Sequence, residues 1–123
     1  MASVSFERLR VYQLAEALAD EIWKVVADWD VFARDTVGRQ LVKAADSIGA
    51  NIAEGTGRGT YQDNRRFVRI ARGSSYETRH WLRRSYKRRL LDHEQVNQLK
   101  LTIEDLAPKL NAYLRSMGTK HDQ

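Results

Sequence analysis

The sequence predicts an all-α protein, an antiparallel up-down-up-down four-helix bundle formed by residues 1–123 as a single domain. Along four segments, apolar residues recur at steps of three and four, which is the spacing of one face of an α-helix. The connections between these segments are only a few residues long, so consecutive helices are expected to pack antiparallel. No segment shows the sustained alternation of apolar and polar residues that predicts a strand.

The four predicted helices span about 6–29, 36–54, 61–91 and 93–116. Asp35 is predicted to cap the second helix, and Thr60 with Asp63 the third. Asp92 and Gln95 stand at the two positions of a capping box that would open the fourth helix. Each helix therefore has both an apolar face and a polar residue suited to its first turn.

Glycine and proline mark the points where these helices end or bend. Residues 55–59, in which three glycines alternate with other residues, are predicted to end the second helix in left-handed backbone. Gly49 and Gly73 lie inside helices, at a cost of about 1 kcal/mol each relative to alanine, and we expect them to permit close approach of another helix. Pro108 is expected to kink the fourth helix, because it lacks a backbone donor.

The composition is that of a globular protein without disulfides. Hydrophobic residues make up 42% of the chain and charged residues 30%. No run of about 18 apolar residues is present, so no membrane span is predicted, and the first residues lack the layout of a signal peptide. The chain has no cysteine, which excludes disulfides and thiolate chemistry. We expect a cytoplasmic protein.

Charge is unevenly distributed along the chain, whose net charge is +5. Residues 58–89 contain eleven Lys and Arg residues and only two acids, so this segment carries a net charge of +9 and the rest of the chain −4. Ten of the eleven cations are arginine, whose planar guanidinium binds two oxygens of a phosphate at once. A basic block in an otherwise mildly acidic chain is typical of a protein that binds a polyanion.

Many of these cations fall on one side of the third predicted helix. At 100° per residue, six cations and a tyrosine lie within about 40° of one line, a stripe roughly 33 Å long. These residues are Arg65, Arg69, Arg72, Tyr76, Arg79, Arg83 and Lys87, and the flanking cations are Arg58, Arg66, Arg84, Arg88 and Arg89. The opposite side is predicted to face the core and carries Phe67, Ile70, Ala71, Ser74, Thr78, Trp81, Leu82 and Ser85.

We expect the stripe to bind the phosphates of RNA or DNA, with little readout of base sequence. Tyr76 would add base stacking. In one alternative, the arginines pair with acids of the first and fourth helices, within a chain or between subunits, so that the stripe serves assembly. Those acids are Glu16, Asp20, Glu21, Asp28, Glu104 and Asp105. In another, the stripe is simply a hydrated surface.

A row of polar residues lies beside the apolar face of the second predicted helix. Its members are Gln40, Ser47, Asn51 and Glu54. Because buried polar groups have to be hydrogen-bonded, we interpret the row as a structural network that fixes helix register or a subunit contact. The alternative is a ligand site.

The sequence predicts no catalytic, cofactor or metal site. Asp63 and Glu77, the only acids of the basic block, are four helical turns apart and cannot share a metal ion within one subunit. No ligand spacing links the three histidines, His80, His93 and His121. The glycine-rich residues 55–59 follow a helix rather than a strand and lack the Gly-Lys-Ser/Thr ending of a phosphate loop.

Several motifs together resemble a known family. They are residues 40–48 (QLVKAADSI), 51–55 (NIAEG) with Gly57-Arg58, and 71–77 (ARGSSYE), together with Phe6-x-x-Leu9-x-Val11-Tyr12 and Glu77-Thr78-x-x-Trp81-Leu82. On these motifs the chain resembles the bacterial four-helix-bundle family, also called the 23S rRNA intervening-sequence protein or S23 family. The resemblance covers nearly the whole chain.

This resemblance implies an antiparallel bundle that assembles into a five-fold homo-oligomeric ring, with no known enzymatic activity. Some members are encoded within intervening sequences of ribosomal RNA genes. The family is also similar to the accessory variability protein of diversity-generating retroelements, a basic ring that binds nucleic acid and a partner reverse transcriptase. We therefore expect a non-enzymatic homopentamer that binds nucleic acid and accompanies a reverse transcriptase or another protein partner.

Overall fold

The computed structural model describes residues 5–121 and, beyond Met117, the backbone only. Helix α1 is Arg10–Ala27, preceded by a 3-10 turn at Phe6–Arg8. Helix α2 is continuous and consists of Val31–Ala33, a π turn at Arg34–Gly38 and Arg39–Thr56. Helix α3 is Tyr61–Lys87 and helix α4 is His93–His121. The described residues contain no strand, which confirms the all-α class with four helices. No helix among them has the length and apolar character needed to cross a membrane.

Helix α1 is shorter than predicted at both ends. Leu9 has extended backbone (φ −71°, ψ 129°) and separates the 3-10 turn from α1, so the prediction of one helix from residue 6 was wrong. The Leu9 side chain packs against the core, which fixes this entry to the helix. At the other end α1 stops at Ala27, and the indole of Trp29 donates to the carbonyl of Leu90 over 3.0 Å.

Helix α2 begins five residues earlier than predicted. Its cap is Asp30, whose carboxylate accepts from the amide of Ala33 at 2.9 Å, and not Asp35, which lies inside the π turn. Val31 and Phe32 in the first turn are 62% and 78% exposed, so they break the apolar period by which the helix was predicted.

Helices α1 and α2 approach closely at the π turn. A Cβ added to Gly38 would lie 2.7 Å from Cγ1 of Val26, so only glycine fits there without displacing a neighbour.

Helix α2 ends at Thr56, within the predicted residues 55–59, but no glycine in residues 5–121 adopts left-handed backbone, so the predicted conformation of this ending was wrong. Gly57 follows the helix with φ −81°. Gly55 instead permits close approach of α3, since an added Cβ would collide with Oδ1 of Asn64 and lie 3.1 Å from its carbonyl oxygen. Gly49 similarly faces Tyr12 of α1, whereas Gly73 has nothing within 4 Å, contrary to prediction.

The left-handed residue in the described chain is Arg89, with φ 62°. It follows α3, which ends at Lys87 rather than near residue 91. The amide of Leu90 then donates to the carbonyl of Ser85 at 2.9 Å, which closes the last turn. A positive φ at a residue other than glycine carries no signal in the sequence, so this boundary was misplaced.

The caps of α3 and α4 match the predictions. Thr60 accepts from the amide of Asp63 at 3.1 Å. The carboxylate of Asp92 accepts from the amide of Gln95 at 2.7 Å, and the Gln95 side chain accepts from the amide of Asp92 at 3.0 Å. Helix α4 continues through Pro108 to His121, beyond the predicted end near residue 116.

Each helix contacts two others. Helix α1 packs on α2 and α4, and α3 packs on the other sides of α2 and α4. Within residues 5–121, α1 does not contact α3 and α2 does not contact α4. Helices α2 and α4 therefore both lie next to α1 and α3, whose own backbones do not approach each other.

The buried face of α3 is displaced from the predicted one. Its buried residues are Val68, Ala71, Ser75, Thr78, Leu82 and Ser85. Ile70, predicted to face the core, is 44% exposed, and Phe67, Ser74 and Trp81 are only partly buried. On a helical projection the two faces differ by roughly 50°. Val68 and Ser75, which the predicted core face left out, lie on the flank that the structure buries, and a pattern of apolar residues does not reveal a buried serine.

Two glycine substitutions are expected to have opposite effects on stability. Gly73→Ala adds a methyl group where nothing lies within 4 Å, so we expect the free energy of unfolding to rise by about 0.5–1 kcal/mol through helix propensity. Gly55→Ala should lower it by about 1–3 kcal/mol, because its Cβ would collide with α3. Urea unfolding followed by circular dichroism measures both. Equal effects from the two substitutions would contradict the packing described.

Candidate nucleic-acid interface

The cations of α3 are not equally exposed. The exposed ones are Arg66, Arg69, Arg79, Arg83, Lys87 and Arg88, which we call the basic face. Arg65, Arg72 and Arg84 are half-buried. Arg65 and Arg72 were predicted at the centre of the exposed stripe, so the structure differs from the prediction at these two residues. Arg58 and Arg89 are exposed beyond the two ends of the helix.

Almost none of these cations has a carboxylate partner. Of the eleven in residues 58–89, Arg58 alone forms an ion pair among the described residues, with Glu54 one helical turn earlier at 3.0 Å. The Nε of Arg65 is enclosed without a hydrogen-bond partner in the same part of the chain. Ten like charges thus remain uncompensated along α3 and its C-terminal end, which creates a strong positive potential on this side of the molecule.

Four of the six acids considered as partners for the arginines are engaged elsewhere. Glu16 accepts from the hydroxyl of Tyr12 at 3.3 Å, and Glu21 accepts from Thr102 at 3.0 Å. Glu104 pairs with Lys100 at 3.9 Å.

Asp105 pairs with Lys109 and Arg10. No ion pair to α3 involves Asp20 or Asp28 within residues 5–121. The described chain therefore provides no intramolecular salt bridges for the basic face.

Aromatic rings support some of the guanidinium groups. The guanidinium carbon of Arg79 lies 5.8 Å from the ring centre of Tyr76, which is 56% exposed. Arg58 and Arg66 lie over the ring of Phe67 at 4.6 and 4.8 Å. Such contacts orient a guanidinium group without neutralising its charge. They therefore leave the guanidinium group able to bind phosphate.

The predicted polar row divides into three parts. The hydroxyls of Ser47 and Ser74 share a hydrogen bond of 3.0 Å, and the Asn51 amide donates to the Ser47 carbonyl and hydroxyl at 2.8 and 3.0 Å. This group joins α2 to α3. Glu54 instead pairs with Arg58, and Gln40 is exposed on the outer side of α2.

The surface between α1 and α2 is acidic. Glu16, Asp20 and Asp46 line a cavity of about 350 Å³ there, with Tyr12 and Gly49 at its floor. Burial, and secondly the negative charge of Asp20, raise the pKa of Asp46 above its ordinary 3.8. Because α1 does not contact α3, this acidic surface and the basic face lie on different sides of the molecule.

The histidines pack against aromatic rings. His80 meets Trp81 edge to face with the ring centres 4.8 Å apart, and His93 lies 6.3 Å from Tyr86. The side chain of His121 lies outside the described residues. Within residues 5–121 no three His, Cys, Asp or Glu side chains are grouped in a way that could hold a metal ion.

Sequence reasoning missed two residues beside the basic face. Lys100 of α4 lines the same cavity as Arg79 and Arg83 of α3. Tyr86 lines a second cavity that includes the same three cations. Lys100 follows Leu99, a core residue of α4. The sequence alone therefore places Lys100 beside the apolar face of its helix, near the contact with another helix. Identifying the neighbouring helix required the structure.

Comparison with known proteins relates the chain to a protein family and to a solved structure. The family model described as 23S rRNA-intervening sequence protein matches residues 7–112. A crystal structure from Bacteroides thetaiotaomicron VPI-5482, described as a protein with unknown function from the S23 ribosomal protein family, is similar with a TM-score of 0.75. It is 20% identical over 85% of this chain and 97% of that chain, a likeness that shows the fold. No curated protein matches the chain.

The raised pKa of Asp46 predicts a pH-dependent effect of its removal. An acid whose pKa is higher in the folded state destabilises the fold when ionised and has no such effect once protonated in both states. Asp46→Asn should therefore raise the melting temperature at about pH 7, and the gain should vanish below about pH 3.5. Thermal unfolding at both pH values measures this. A gain of equal size at both would contradict the electrostatic cause.

Proposed function

The chain belongs to the 23S rRNA-intervening sequence protein family, and from this premise we propose that it is a non-enzymatic protein that binds nucleic acid. The contact is made by the basic face of α3 with the sugar-phosphate backbone of RNA or DNA. The family's description links it to genes of ribosomal RNA, which favours RNA as the ligand.

The observation that carries the proposal is the lack of carboxylate partners for ten cations of α3 and its C-terminal end in the described residues. Uncompensated charge of one sign on a rigid helix is expensive unless a counter-charge is supplied. The phosphates of a nucleic acid supply it at regular intervals, and arginine matches their geometry with two parallel hydrogen bonds. Release of condensed counterions then provides most of the free energy of binding.

The proposal includes an antiparallel up-down-up-down arrangement of the helices. Contacts between consecutive helices support it: Tyr12 meets Gly49, and Val26 meets Gly38. As residue numbers rise along α1, they fall along α2. The same holds between α2 and α3, where Gly55 faces Asn64 and Ser47 faces Ser74.

We further propose that the protein self-associates, as the five-fold ring implied by its motifs would require, and acts in the cytoplasm. A ring presents one copy of the basic face on each subunit. Several weak phosphate contacts would then add up to tight binding through multivalency. In that form the protein would serve as an accessory factor to an enzyme that processes nucleic acid, such as a reverse transcriptase. The helix surface would hold the nucleic acid while the partner carries out the chemistry.

The acidic surface between α1 and α2 favours a second candidate function. Asp20 and Asp46 form no ion pair within residues 5–121, and this surface lies on a different side from the basic face. Two complementary surfaces on different sides of one molecule permit head-to-tail association between copies. The protein would then be a scaffold whose arginines form salt bridges with a neighbouring subunit.

Phosphate binding predicts a steep dependence on salt. If one subunit contacts about five phosphates, the logarithm of the association constant should fall against the logarithm of salt concentration with a slope near −4.5 for duplex DNA and near −3.5 for single strands. Replacing Arg69 and Arg79 by glutamate should reduce the magnitude of the slope by about 2 and abolish most binding at about 50 mM salt. Fluorescence anisotropy with labelled oligonucleotides measures both.

The matched control reverses Arg8 and Lys43, two exposed cations outside α3. This variant carries the same change in net charge, so it should keep the slope of the parent protein within about half a unit if the contacts are local to α3. Equal losses in both variants would mean that net charge, and not the basic face, governs binding. The absence of any binding at low salt would contradict the proposed function itself.

A further inference from the structure

A cleft between α3 and α4 lies directly beside the basic face. Its cavity measures about 340 Å³, within the range of roughly 300–1,000 Å³ typical of ligand pockets. Apolar side chains of both helices line it, including Leu82, Val96, Leu99 and Ile103, with Tyr86 at its edge. Leu82 and Leu99 are 9% and 3% exposed and form the floor, whereas Tyr86 is 44% exposed and borders the opening.

Three cations connect this apolar cleft to a wider opening. Arg79 and Arg83 of α3 and Lys100 of α4 line the cleft, and the same three line an open cavity of about 700 Å³ that also includes Tyr76 and His80. Arg79 and Arg83 are one helical turn apart, so their guanidinium groups project from neighbouring positions. An apolar slot and a cationic surface thus share one boundary.

The aromatic residues at this boundary are held in place but not covered. The ring of Tyr86 meets that of His93 at 60° with the ring centres 6.3 Å apart, which fixes its orientation. The ring of Tyr76 lies beside Arg79. Neither tyrosine hydroxyl has a hydrogen-bond partner within residues 5–121, and Tyr76 and Tyr86 are 56% and 44% exposed.

We infer that this cleft receives an unstacked base of a single-stranded nucleic acid, stacked on Tyr86, while its neighbouring phosphates contact Arg79 and Arg83. The inference rests on the proposed function and specifies its ligand. A base has an apolar face that suits the cleft, and base stacking on an aromatic side chain is tolerant of sequence. In a duplex the bases are paired and stacked inside the helix, out of reach of a slot between two α-helices.

The position of Glu104 is consistent with this orientation. Glu104 also lines the cleft and pairs with Lys100 at 3.9 Å. Its carboxylate repels phosphate, so the anionic backbone is directed toward Arg79 and Arg83. A carboxylate at the rim can accept hydrogen bonds from the N–H groups of a base, which all four bases carry in some form.

The test uses the full chain and fluorescein-labelled oligoadenylate, a strand that forms no hairpins, together with the same strand annealed to oligouridylate. Tyr86→Ala should weaken binding of the single strand about tenfold, the loss expected for one stacked base, and leave the duplex within about twofold. Tyr86→Phe, which keeps the aromatic face, should bind the single strand as the parent protein does. Anisotropy titrations at constant salt give the affinities.

The matched control is Phe32→Ala, which removes a 78% exposed aromatic ring from α2, away from the cleft. This variant should bind both ligands like the parent protein. Equal affinity of Tyr86→Ala and the parent for the single strand would overturn the inference while leaving phosphate binding by the basic face intact. The inference would also be overturned if Tyr86→Ala weakened binding of polyglutamate tenfold as well, because the cleft would then recognise an acidic chain rather than a base.

Discussion

The structure depends on one narrow strip of α3 that fits into the core. Thr78 and Ser85 are completely buried, and their hydroxyls donate to the carbonyls of Ser74 and Trp81 at 2.8 and 2.7 Å, so neither is an unsatisfied polar group. Ala71 and Ser75 on the same strip bring α3 close to its neighbours. Cations one turn apart, such as Arg79 and Arg83, repel each other and destabilise an isolated helix. Packing of this strip holds α3 in place against that repulsion.

The division of α3 into a buried strip and a basic face links folding to function. Small side chains in the core allow cations to occupy most of the remaining circumference, and the backbone of α1, which carries several acids, does not approach that of α3. A polyanion that binds the basic face removes repulsion that the fold otherwise tolerates, so ligand binding and stability are coupled. In the proposed complex, the cleft beside Tyr86 would add contact with a base to the contacts made by charge alone.

Much of the fold could be predicted from the sequence because apolar period and capping are local signals. The caps at Thr60 and Asp92 were correct in detail. The start of α2 was missed because its first turn exposes Phe32, and the π turn has no local signature. The buried face of α3 was misplaced partly because Ser75 counts as polar in a pattern of apolar residues, although the residue is only 8% exposed. Which helix faces Arg79 and Arg83 is a long-range property that only the fold determines.

The central claim is that the guanidinium groups of the basic face are free in the protein and accessible to a ligand. Modification of arginines by phenylglyoxal, followed by peptide mass spectrometry, measures this directly in the intact protein. Arg69 and Arg83 should react about as fast as the exposed Arg8 at all protein concentrations, and RNA should protect them but not Arg8. Slow reaction without nucleic acid, relieved by dilution or by high salt, would mean that carboxylates of a neighbouring subunit already occupy them, and would contradict the account.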